Sequence, residues 1–464
     1  MRCSRRARTS CSAMASSRNS PPADQAVAAV NAVLAAALIE HVNPGASLAI
    51  ALSGGIDSIV LLDAAAALAT RHPVNLSAIH VHHGLSPNAD RWADFCAAQC
   101  TARSVPLATH RLRLSRERGS SLEAQARSAR YERLLAADVD VVALAHHADD
   151  QAETVLLQLL RGAGPQGLAA MPAFRPGHPA LLRPLLELPR EALAAYAAAR
   201  ALNWIEDESN ADRRHARNFI RHEIAPVLAA RFPGYPATLV RAARHQAHMA
   251  VLADALASLD AVGAVDETGL SRDHLAALPP ARARNLLRWF LREEGLRPPS
   301  EARLSDMMRQ LVSAGDDARI RIAQDSAEIG AHRGRIAVHA PAAPSFECVW
   351  HGESEVSLPR GVLAFERARG GGLAAAKLER TQVTLRPRRG GERIRLAANR
   401  PTHTVKKLLQ DAHVPPWERE GLPLIWSDDE LAAVPGIGVA LAFQAAPDEP
   451  GWRVEWRPAT RHPG

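Results

Sequence analysis

The residues best suited to chemistry stand in one short run, Ser53-Gly54-Gly55-Ile56-Asp57-Ser58. An apolar stretch that predicts a buried strand precedes the run, and an apolar, Ala-rich stretch that predicts a helix follows it. Glycine lets the backbone approach a bound group closely, and the N–H groups at the start of a helix attract anions. The serines add hydroxyl donors. The run therefore predicts a phosphate-binding loop.

The composition of this loop narrows the kind of nucleotide site. It lacks the lysine of a GxxxxGK[ST] loop, and no GxGxxG pattern follows the strand, so Walker A and dinucleotide-binding folds are disfavoured. Asp57 is unexpected beside a phosphate, because like charges repel, unless a divalent cation such as Mg²⁺ lies between them. The simpler alternative is an ordinary capped helix after a glycine turn.

Further polar residues lie where two other predicted strands end. The segment 80–84 closes one strand with three histidines, and the segment 144–154 leads from a strand into a helix. In the second segment Asp150 and Glu153 share a helix face at i,i+3 spacing. Two acids so placed could hold a cationic amine, and one could accept its proton. A structural role remains the alternative for the strand-end histidines His82, His83 and His147.

Arginines on two helical segments could stabilise phosphate charge. Arg127 is the first candidate, and Arg217 and Arg221, which follow an acidic segment at 206–210, come next. Arg130 shares a face with Arg127, and its simpler interpretation is pairing with an acid on the helix surface.

Elements that would position these residues alternate regularly along the chain. The candidate strands are 47–53, 75–82, 106–114 and 139–145. The candidate helices that follow them are 58–70, 88–103, 121–137 and 148–161. Such alternation predicts an α/β domain, with a parallel sheet covered by helices on both faces. Ligands bind at the carboxyl ends of such strands. The loop and the two later segments all fall at such ends, which predicts a single site.

The remainder of the chain changes character. We expect a disordered tail over 1–25, the catalytic domain over 26–230, a mostly helical domain over 235–340 with a short β-like piece at 320–323, a connector with some strands over 341–380, and a small α+β domain over 381–457. The tail is Arg- and Ser-rich, and Met14 offers a second start; a transit-like segment is the alternative.

These segments together resemble the PP-loop ATP pyrophosphatases and, among them, the tRNA(Ile)-lysidine synthetase family. The match covers about residues 50–230, and 385–424 resembles the family's C-terminal domain. The resemblance implies a PP-loop, HUP-like fold and an enzyme that uses ATP to adenylate the first anticodon cytidine of the CAU-anticodon isoleucine tRNA. Free L-lysine then attacks and displaces AMP. The lysidine formed changes codon reading from AUG to AUA.

The resemblance also implies roles for individual residues. The loop from Ser53 to Ser58 would bind ATP with Mg²⁺ at Asp57, while Asp150 and Glu153 would bind lysine. Segment 381–407 holds eight Lys or Arg residues against one acid, which indicates contact with the tRNA backbone, although a solvated basic face is the alternative. The tRNA-contact candidates are Arg388, Arg389, Arg393, Lys406 and Lys407.

Three other functions are less compatible with the sequence. A tRNA-thiolating relative would be expected to carry CxxC motifs, and an amidotransferase a Cys/His glutaminase pattern; neither is visible. A non-catalytic tRNA-binding module would not need the intact loop or the acid pair. A zinc site at His146, His147 and Asp150 would lack the i,i+4 His pair of a zincin helix.

Composition sets outer bounds on class and compartment. The 464 residues have room for two to four domains, and a net charge of +7 with a pI of about 9.6 suits a polyanionic partner. The aromatic content of 4% disfavours a base-stacking platform. Five cysteines without a CxxC pair indicate a reducing cytoplasm, and no apolar run approaches membrane-spanning length. The sequence leaves a homodimer open.

Overall fold

The computed structural model describes residues 23–84, 86–112, 122–206, 214–313, 320–342 and 344–459. Residues 1–22 of the expected tail, and 207–210 of the acidic segment, lie outside this part of the chain. The chain divides into two compact units, residues 1–251 and 252–464. Within the described ranges no helix combines the length and apolarity needed to span a membrane.

The first unit alternates strands with helices, which confirms the predicted pattern. Its elements in chain order are α1 (Ala23–His41), β1 (Ser47–Ala51), α2 (Ile56–Leu68), β2 (Asn75–His82), α3 (Ala89–Thr101), β3 (Leu107–Arg111), α4 (Leu122–Leu135), β4 (Val141–Ala143), α5 (Ala148–Leu160), α6 (Pro165–Leu168), β5 (Phe174–Arg175), β6 (Ala180–Leu182), α7 (Arg190–Ala199), α8 (Ala216–Phe219), a π-helical turn (Ile220–Ile224), α9 (Ala225–Arg231) and α10 (Tyr235–Ala261), which continues into the second unit.

The sheet of this unit has the strand order β3-β2-β1-β4-β6-β5. All neighbouring pairs are parallel except β5 with β6. Leu48 and Ile50 of β1 belong to one apolar core and Ala49 and Ala51 to another, because successive side chains of a strand point to opposite faces. Helices therefore cover both faces, and the predicted α/β fold is confirmed.

The second unit begins with helices and a small sheet. Its first elements are β7 (Val265–Asp266), β8 (Gly269–Ser271), α11 (Arg272–Ala277), α12 (Pro280–Glu293), α13 (Glu301–Ser313), β9 (Ile322–Gln324), β10 (Ala327–His332) and β11 (Arg335–His339). The helices were predicted, whereas the five-stranded sheet β7-β8-β11-β10-β9 was foreseen only as a short piece near β9. Strands this short carry too few residues for their alternation to be read.

The chain ends in three further antiparallel sheets, which have five, four and two strands. Their elements are β12 (Cys348–Trp350), β13 (Glu355–Leu358), β14 (Gly361–Arg369), β15 (Leu373–Ala374), α14 (Ala375–Leu378), β16 (Val383–Pro387), β17 (Arg393–Ile394), β18 (His403–Thr404), α15 (Val405–Asp411), α16 (Pro416–Gly421), β19 (Pro423–Ser427), β20 (Glu430–Val434), β21 (Gly438–Val439), a 3₁₀ turn (Leu441–Phe443) and β22 (Pro450–Pro458).

Residues 341–380, expected as a connector with some strands, are built into these sheets. β12 pairs with β16, and β14 pairs with β22 along its whole length. The backbone of this segment is therefore hydrogen-bonded to strands that lie up to about a hundred residues later in the chain.

Candidate active site

The predicted phosphate-binding loop turns sharply between β1 and α2. Gly54 has φ +88°, in the left-handed region that favours glycine. A Cβ atom at Gly54 would also lie 2.9 Å from Cδ1 of Ile205 and 3.2 Å from Sγ of Cys96. Both the backbone angle and the close packing therefore require glycine at this position.

The Ser58 hydroxyl ties the loop together. Its Oγ accepts hydrogen bonds from the backbone N–H groups of Ser53 and Gly54, each at 3.2 Å, and donates to the carbonyl of Gly55 at 2.9 Å. Two of the loop's N–H groups are thus directed at a side chain. The first turn of α2, which begins at Ile56, supplies the helix N-terminus that attracts an anion.

Asp57 lies in that first turn, with its carboxylate in a site suited to a cation. Its Oδ1 atom is buried and has no hydrogen-bond partner within the described residues. Burial raises the pKa of Asp57, and the nearby positive charge of His147 offsets only part of the effect. A buried carboxylate oxygen without a partner is destabilising unless a cation binds it. The residue therefore fits a divalent cation.

Asp150 and Glu153 stand on α5, as predicted, and are held by two arginines. Arg217 Nε lies 2.7 Å from Glu153 Oε2, and Arg221 Nε lies 2.6 Å from Glu153 Oε1. The Nη2 atoms of both arginines reach Asp150 Oδ1, at 3.1 and 2.9 Å. Burial alone would raise the pKa of Asp150, but the charges of His147, Arg217 and Arg221 leave it below its usual value.

His147 joins the loop to the acid pair. Its buried ring places Nε2 3.7 Å from Asp57 Oδ2 and 3.4 Å from Asp150 Oδ2, while Nδ1 lies 3.6 Å from Asp149 Oδ2. Burial opposes the charged form, yet the three carboxylates prevail and raise the pKa of His147. In contrast, burial lowers the pKa of His146 to about 3. The sequence placed His147 near the site but gave no sign that it bridges two acids.

A pocket opens at the carboxyl ends of β1 and β2. Ser53, His80, Trp92 and Arg130 contribute to its lining. The His80 ring is fixed by a 2.9 Å hydrogen bond between Nδ1 and the Leu52 carbonyl. Within the described residues Arg130 has no acid partner, so the surface ion pair suggested by the sequence is not observed. The sequence did not predict that Trp92 lines this pocket, because nothing in the residue spacing of α3 distinguishes it.

Arg127 does not join the acid cluster. Its side chain is exposed on α4, one turn before Arg130, and it makes no ion pair with another described residue. Of the three arginines considered for phosphate charge, the structure brings Arg217 and Arg221 to the acid pair and leaves Arg127 facing solvent. The zinc alternative also lacks support, since no three potential ligands among the described residues are placed so that together they could hold a metal ion.

The predicted tRNA-contact residues fall into two groups. Arg388 is half-buried against Glu392 at 3.4 Å, and Arg389 pairs with Glu347 at 2.9 Å. Glu392 also accepts the backbone N–H of Gly390 at 2.6 Å, so this acid closes the turn. The remaining three residues are exposed and lie on β17 and at the start of α15: Arg393, Lys406 and Lys407.

Family models match the chain in three segments. They describe a PP-loop domain at residues 28–228, a TilS substrate binding domain at 270–337 and a TilS substrate C-terminal domain at 383–456. Two curated relatives, both tRNA(Ile)-lysidine synthases, are similar along nearly the whole chain. The protein of Nitrosomonas europaea is 42% identical over 431 residues, and that of an Azoarcus species 44% identical over 423 residues. Each alignment covers 90% of this chain and 93% of the relative.

Solved structures show weaker similarity. The crystal structure of a TILS C-terminal domain aligns with 25% of this chain and 99% of its own, at 18% identity and a TM-score of 0.22. The U34-tRNA thiolase NcsA from Methanococcus maripaludis aligns with 49% of this chain and 80% of its own, at 19% identity and a TM-score of 0.43. Neither score is high enough to support a functional conclusion.

Proposed function

The chain belongs to the tRNA(Ile)-lysidine synthase family, and we propose that it binds free L-lysine through Asp150 and Glu153. It is an ATP-dependent ligase that forms lysidine at the first anticodon cytidine of the CAU-anticodon isoleucine tRNA. The cytidine 2-oxo oxygen attacks the α-phosphorus of ATP and releases pyrophosphate. The lysine ε-amine then forms a bond to C2 as the bond from C2 to the AMP oxygen breaks.

The observation that carries the lysine site is a pair of buried carboxylates already bonded to cationic nitrogen atoms. Their contacts with guanidinium nitrogens span 2.6–3.1 Å. A lysine ammonium needs the same anionic oxygens, and it must lose a proton before its nitrogen can attack. Asp150 or Glu153 accepts that proton in this proposal.

Adenylation belongs to the loop and to Asp57. The orphaned Oδ1 of Asp57 supports a Mg²⁺ site, in which this carboxylate would hold the ion. When bound, Mg²⁺ neutralises negative charge on the phosphates. The N-terminus of α2 orients the same phosphates, and the brace from Ser58 holds the loop in its turn.

We assign docking of the tRNA backbone to the exposed cations Arg393, Lys406 and Lys407. Each side chain is exposed and free of ion pairs with other described residues. Such cations bind phosphate and position a nucleic acid without reading its bases. Arg388 and Arg389 are engaged with Glu392 and Glu347, so we expect their contribution to be smaller.

A cytoplasmic location and a homodimer complete the proposal. Cys96, Cys100 and Cys348 are free thiols, which supports a reducing compartment. Leu252, Leu256 and Leu259 are exposed along one side of α10, which supports self-association. A mass in solution of twice the 49.9 kDa chain mass would test the homodimer by light scattering.

The lysine site is tested by replacing Asp150 with Asn and, separately, Glu153 with Gln. Each change removes an anionic partner of the ammonium, so the lysine concentration needed for half-maximal lysidine formation should rise by at least tenfold, the effect of about 1.4 kcal/mol. Pyrophosphate release from ATP and tRNA without lysine should fall much less. The reaction is followed with labelled lysine and nucleoside analysis.

Glu187→Gln is a matched control, because Glu187 is an exposed acid paired with Arg244 in the same unit. It should retain the wild-type lysine dependence. If both site variants keep that dependence and instead lose pyrophosphate release, the acid pair serves ATP and the assigned amine site is wrong.

A further inference from the structure

The proposed amine pocket is filled by the protein's own cations. Each of its four carboxylate oxygens accepts at least one hydrogen bond: Glu153 receives both guanidinium groups, Asp150 Oδ1 receives both, and Asp150 Oδ2 receives the backbone N–H of His147. An incoming ammonium must therefore displace at least part of this network before it binds.

Among the hydrogen-bonded groups the charges are also balanced. Two carboxylates face two guanidinium groups, so a third cation at the same oxygens gains little net attraction. Removing one arginine from the acids would restore a net negative charge in a site where the carboxylates are only 12% and 5% exposed. The affinity of the pocket for lysine therefore depends on where the arginine side chains lie.

The arginines are the more exposed half of this network. The side chains of Arg217 and Arg221 are 23% and 28% exposed, so they reach the acids from the solvent side. They stand on the short helix α8 and the adjoining π-helical turn, and π-helical turns often mark functional sites. The acids are buried on α5, where Asp150 is also bonded to the start of the helix.

Arg221 has a second anionic destination. Its Nη2 lies 2.9 Å from Asp150 Oδ1. The other oxygen of Asp150 lies 3.4 Å from His147 Nε2, which is in turn 3.7 Å from Oδ2 of Asp57 in the phosphate loop. The ATP phosphates bind at that loop and bring far more negative charge than Asp57 alone. Arginine also binds phosphate oxygens in the same bidentate manner as carboxylates.

We propose that Arg217 and Arg221 keep the amine pocket closed in the free enzyme and that bound ATP draws Arg221 toward its phosphates, which opens the pocket for lysine. This inference rests on the proposed lysine site. It makes ATP and lysine bind cooperatively, with ATP first, so that the amine enters only where an adenylate can form. Because such coupling is reciprocal, each ligand raises the affinity of the other by the same factor.

The test measures labelled L-lysine binding to the full-length chain by equilibrium dialysis. Lysine affinity is compared without nucleotide and with saturating α,β-methylene ATP and Mg²⁺, an analogue that cannot be split between the α- and β-phosphates. No tRNA is present, so no chemistry occurs. We expect the analogue to raise lysine affinity on the order of tenfold.

Arg221→Gln removes the movable charge. This variant should bind lysine more tightly than wild type without nucleotide, and the analogue should then change its affinity little. If Arg221→Gln does not fold, Arg221→Lys replaces it in the test. The lysine ammonium cannot reproduce the forked guanidinium contacts, so this variant should weaken the coupling between ATP and lysine binding. Arg244→Ala, which removes a surface arginine paired with Glu187, should keep the wild-type coupling.

The possible failures are distinguishable. Equal lysine affinity with and without the analogue, or no lysine binding in either state, overturns the closed pocket. If Asp150→Asn and Glu153→Gln bind lysine as wild type does, the amine site itself is wrong. Lysine binding that depends on both acids but is unaffected by the analogue leaves the site standing and rejects only its control by Arg221.

Discussion

Two aspartates on α2 have opposite surroundings. Asp63 accepts hydrogen bonds from Arg103 Nε at 3.1 Å, Tyr196 Oη at 2.9 Å and Arg200 Nε at 3.0 Å. Burial acts to raise the pKa of Asp63, but these three partners outweigh it and lower the pKa. Asp57 has a buried oxygen that no described residue contacts by a hydrogen bond, and burial raises the pKa of Asp57.

In the proposed function, this difference separates a structural carboxylate from one that binds a ligand. Asp63 faces α7 in the middle of the helix, where the protein supplies every partner it needs. Asp57 lies at the carboxyl end of the sheet, where a missing partner leaves room for a ligand. Asp150 and Glu153 combine both features: they lie near the same end of the sheet and are fully paired, but with arginines that are partly exposed.

The largest effect on activity is expected from Asp57→Asn. Losing the carboxylate should lower ATP-dependent pyrophosphate release by on the order of 10²–10³-fold, because charge at the phosphates is no longer neutralised. The melting temperature should stay the same or rise, since Oδ1 of the replaced carboxylate is buried without a hydrogen-bond partner in the described part of the chain. Pyrophosphate release and calorimetry measure the two effects. Turnover at the wild-type rate would reject the assignment of Asp57.

Asp63→Asn should reverse that pattern. It leaves two guanidinium groups without their carboxylate, and breaking a buried pair costs about 3 kcal/mol. The free energy of unfolding, from urea titration, should fall by that amount. The rate of lysidine formation per folded molecule should match wild type. If Asp63→Asn has normal stability but low activity, the proposal that Asp63 is structural and Asp57 is functional is wrong.

The two variants should also differ in how their stability responds to pH. The pKa of Asp63 is below its ordinary value of 3.8, so the stability it contributes is full well above 3.8 and is lost as pH falls through the lowered pKa. The destabilisation of Asp63→Asn should therefore shrink in acid. This is checked by urea unfolding of wild type and variant across the acid range.

The pH dependence of the stability that Asp57 contributes has the opposite sign. Because its folded-state pKa is raised, the charged form destabilises the fold once pH rises through that value. Asp57→Asn should gain stability relative to wild type at neutral pH, and the gain should vanish below pH 3.8. A gain that grew in acid would contradict the assigned shift.

The smallest effect is expected at the exposed cations Arg393, Lys406 and Lys407, which form no ion pair with the residues that the structure describes. Replacing Lys406 and Lys407 together with Ala should leave stability unchanged and weaken tRNA binding, lowering the slope of log affinity against log salt by roughly two. Arg457→Ala removes an exposed arginine paired with Glu355 and Glu455 and should keep the slope. An unchanged slope in the lysine variant would mark these residues as an ordinary solvated surface.

The surface formed by Arg393, Lys406 and Lys407 is better tested by point substitutions than by removing the chain after residue 380. The strands β12 and β14 of the segment 341–380 pair with β16 and β22, so truncation would remove their partners. The sequence could not show this pairing, because a strand's partners depend on contacts between distant residues rather than on local pattern.

The sequence alone determined the alternation of strands and helices and the place of the chemistry within it. Apolar runs of strand length, glycines at the turn of Ser53–Ser58 and acids at i,i+3 are local features, and parallel strands must bring their carboxyl ends to one edge. That local logic was enough to predict that the loop and the pair of Asp150 and Glu153 lie near the same edge.

Only the tertiary structure decided which groups meet there. Glu153 and Arg217 are 64 residues apart in the chain, and Asp63 and Arg200 are 137 apart, yet both pairs are in hydrogen-bond contact. Spacing along one element cannot report such contacts, because they depend on how separate helices pack against the sheet. The same packing directs Arg217 and Arg221 onto the acids, gives Asp63 its partners and leaves Oδ1 of Asp57 without one among the described residues.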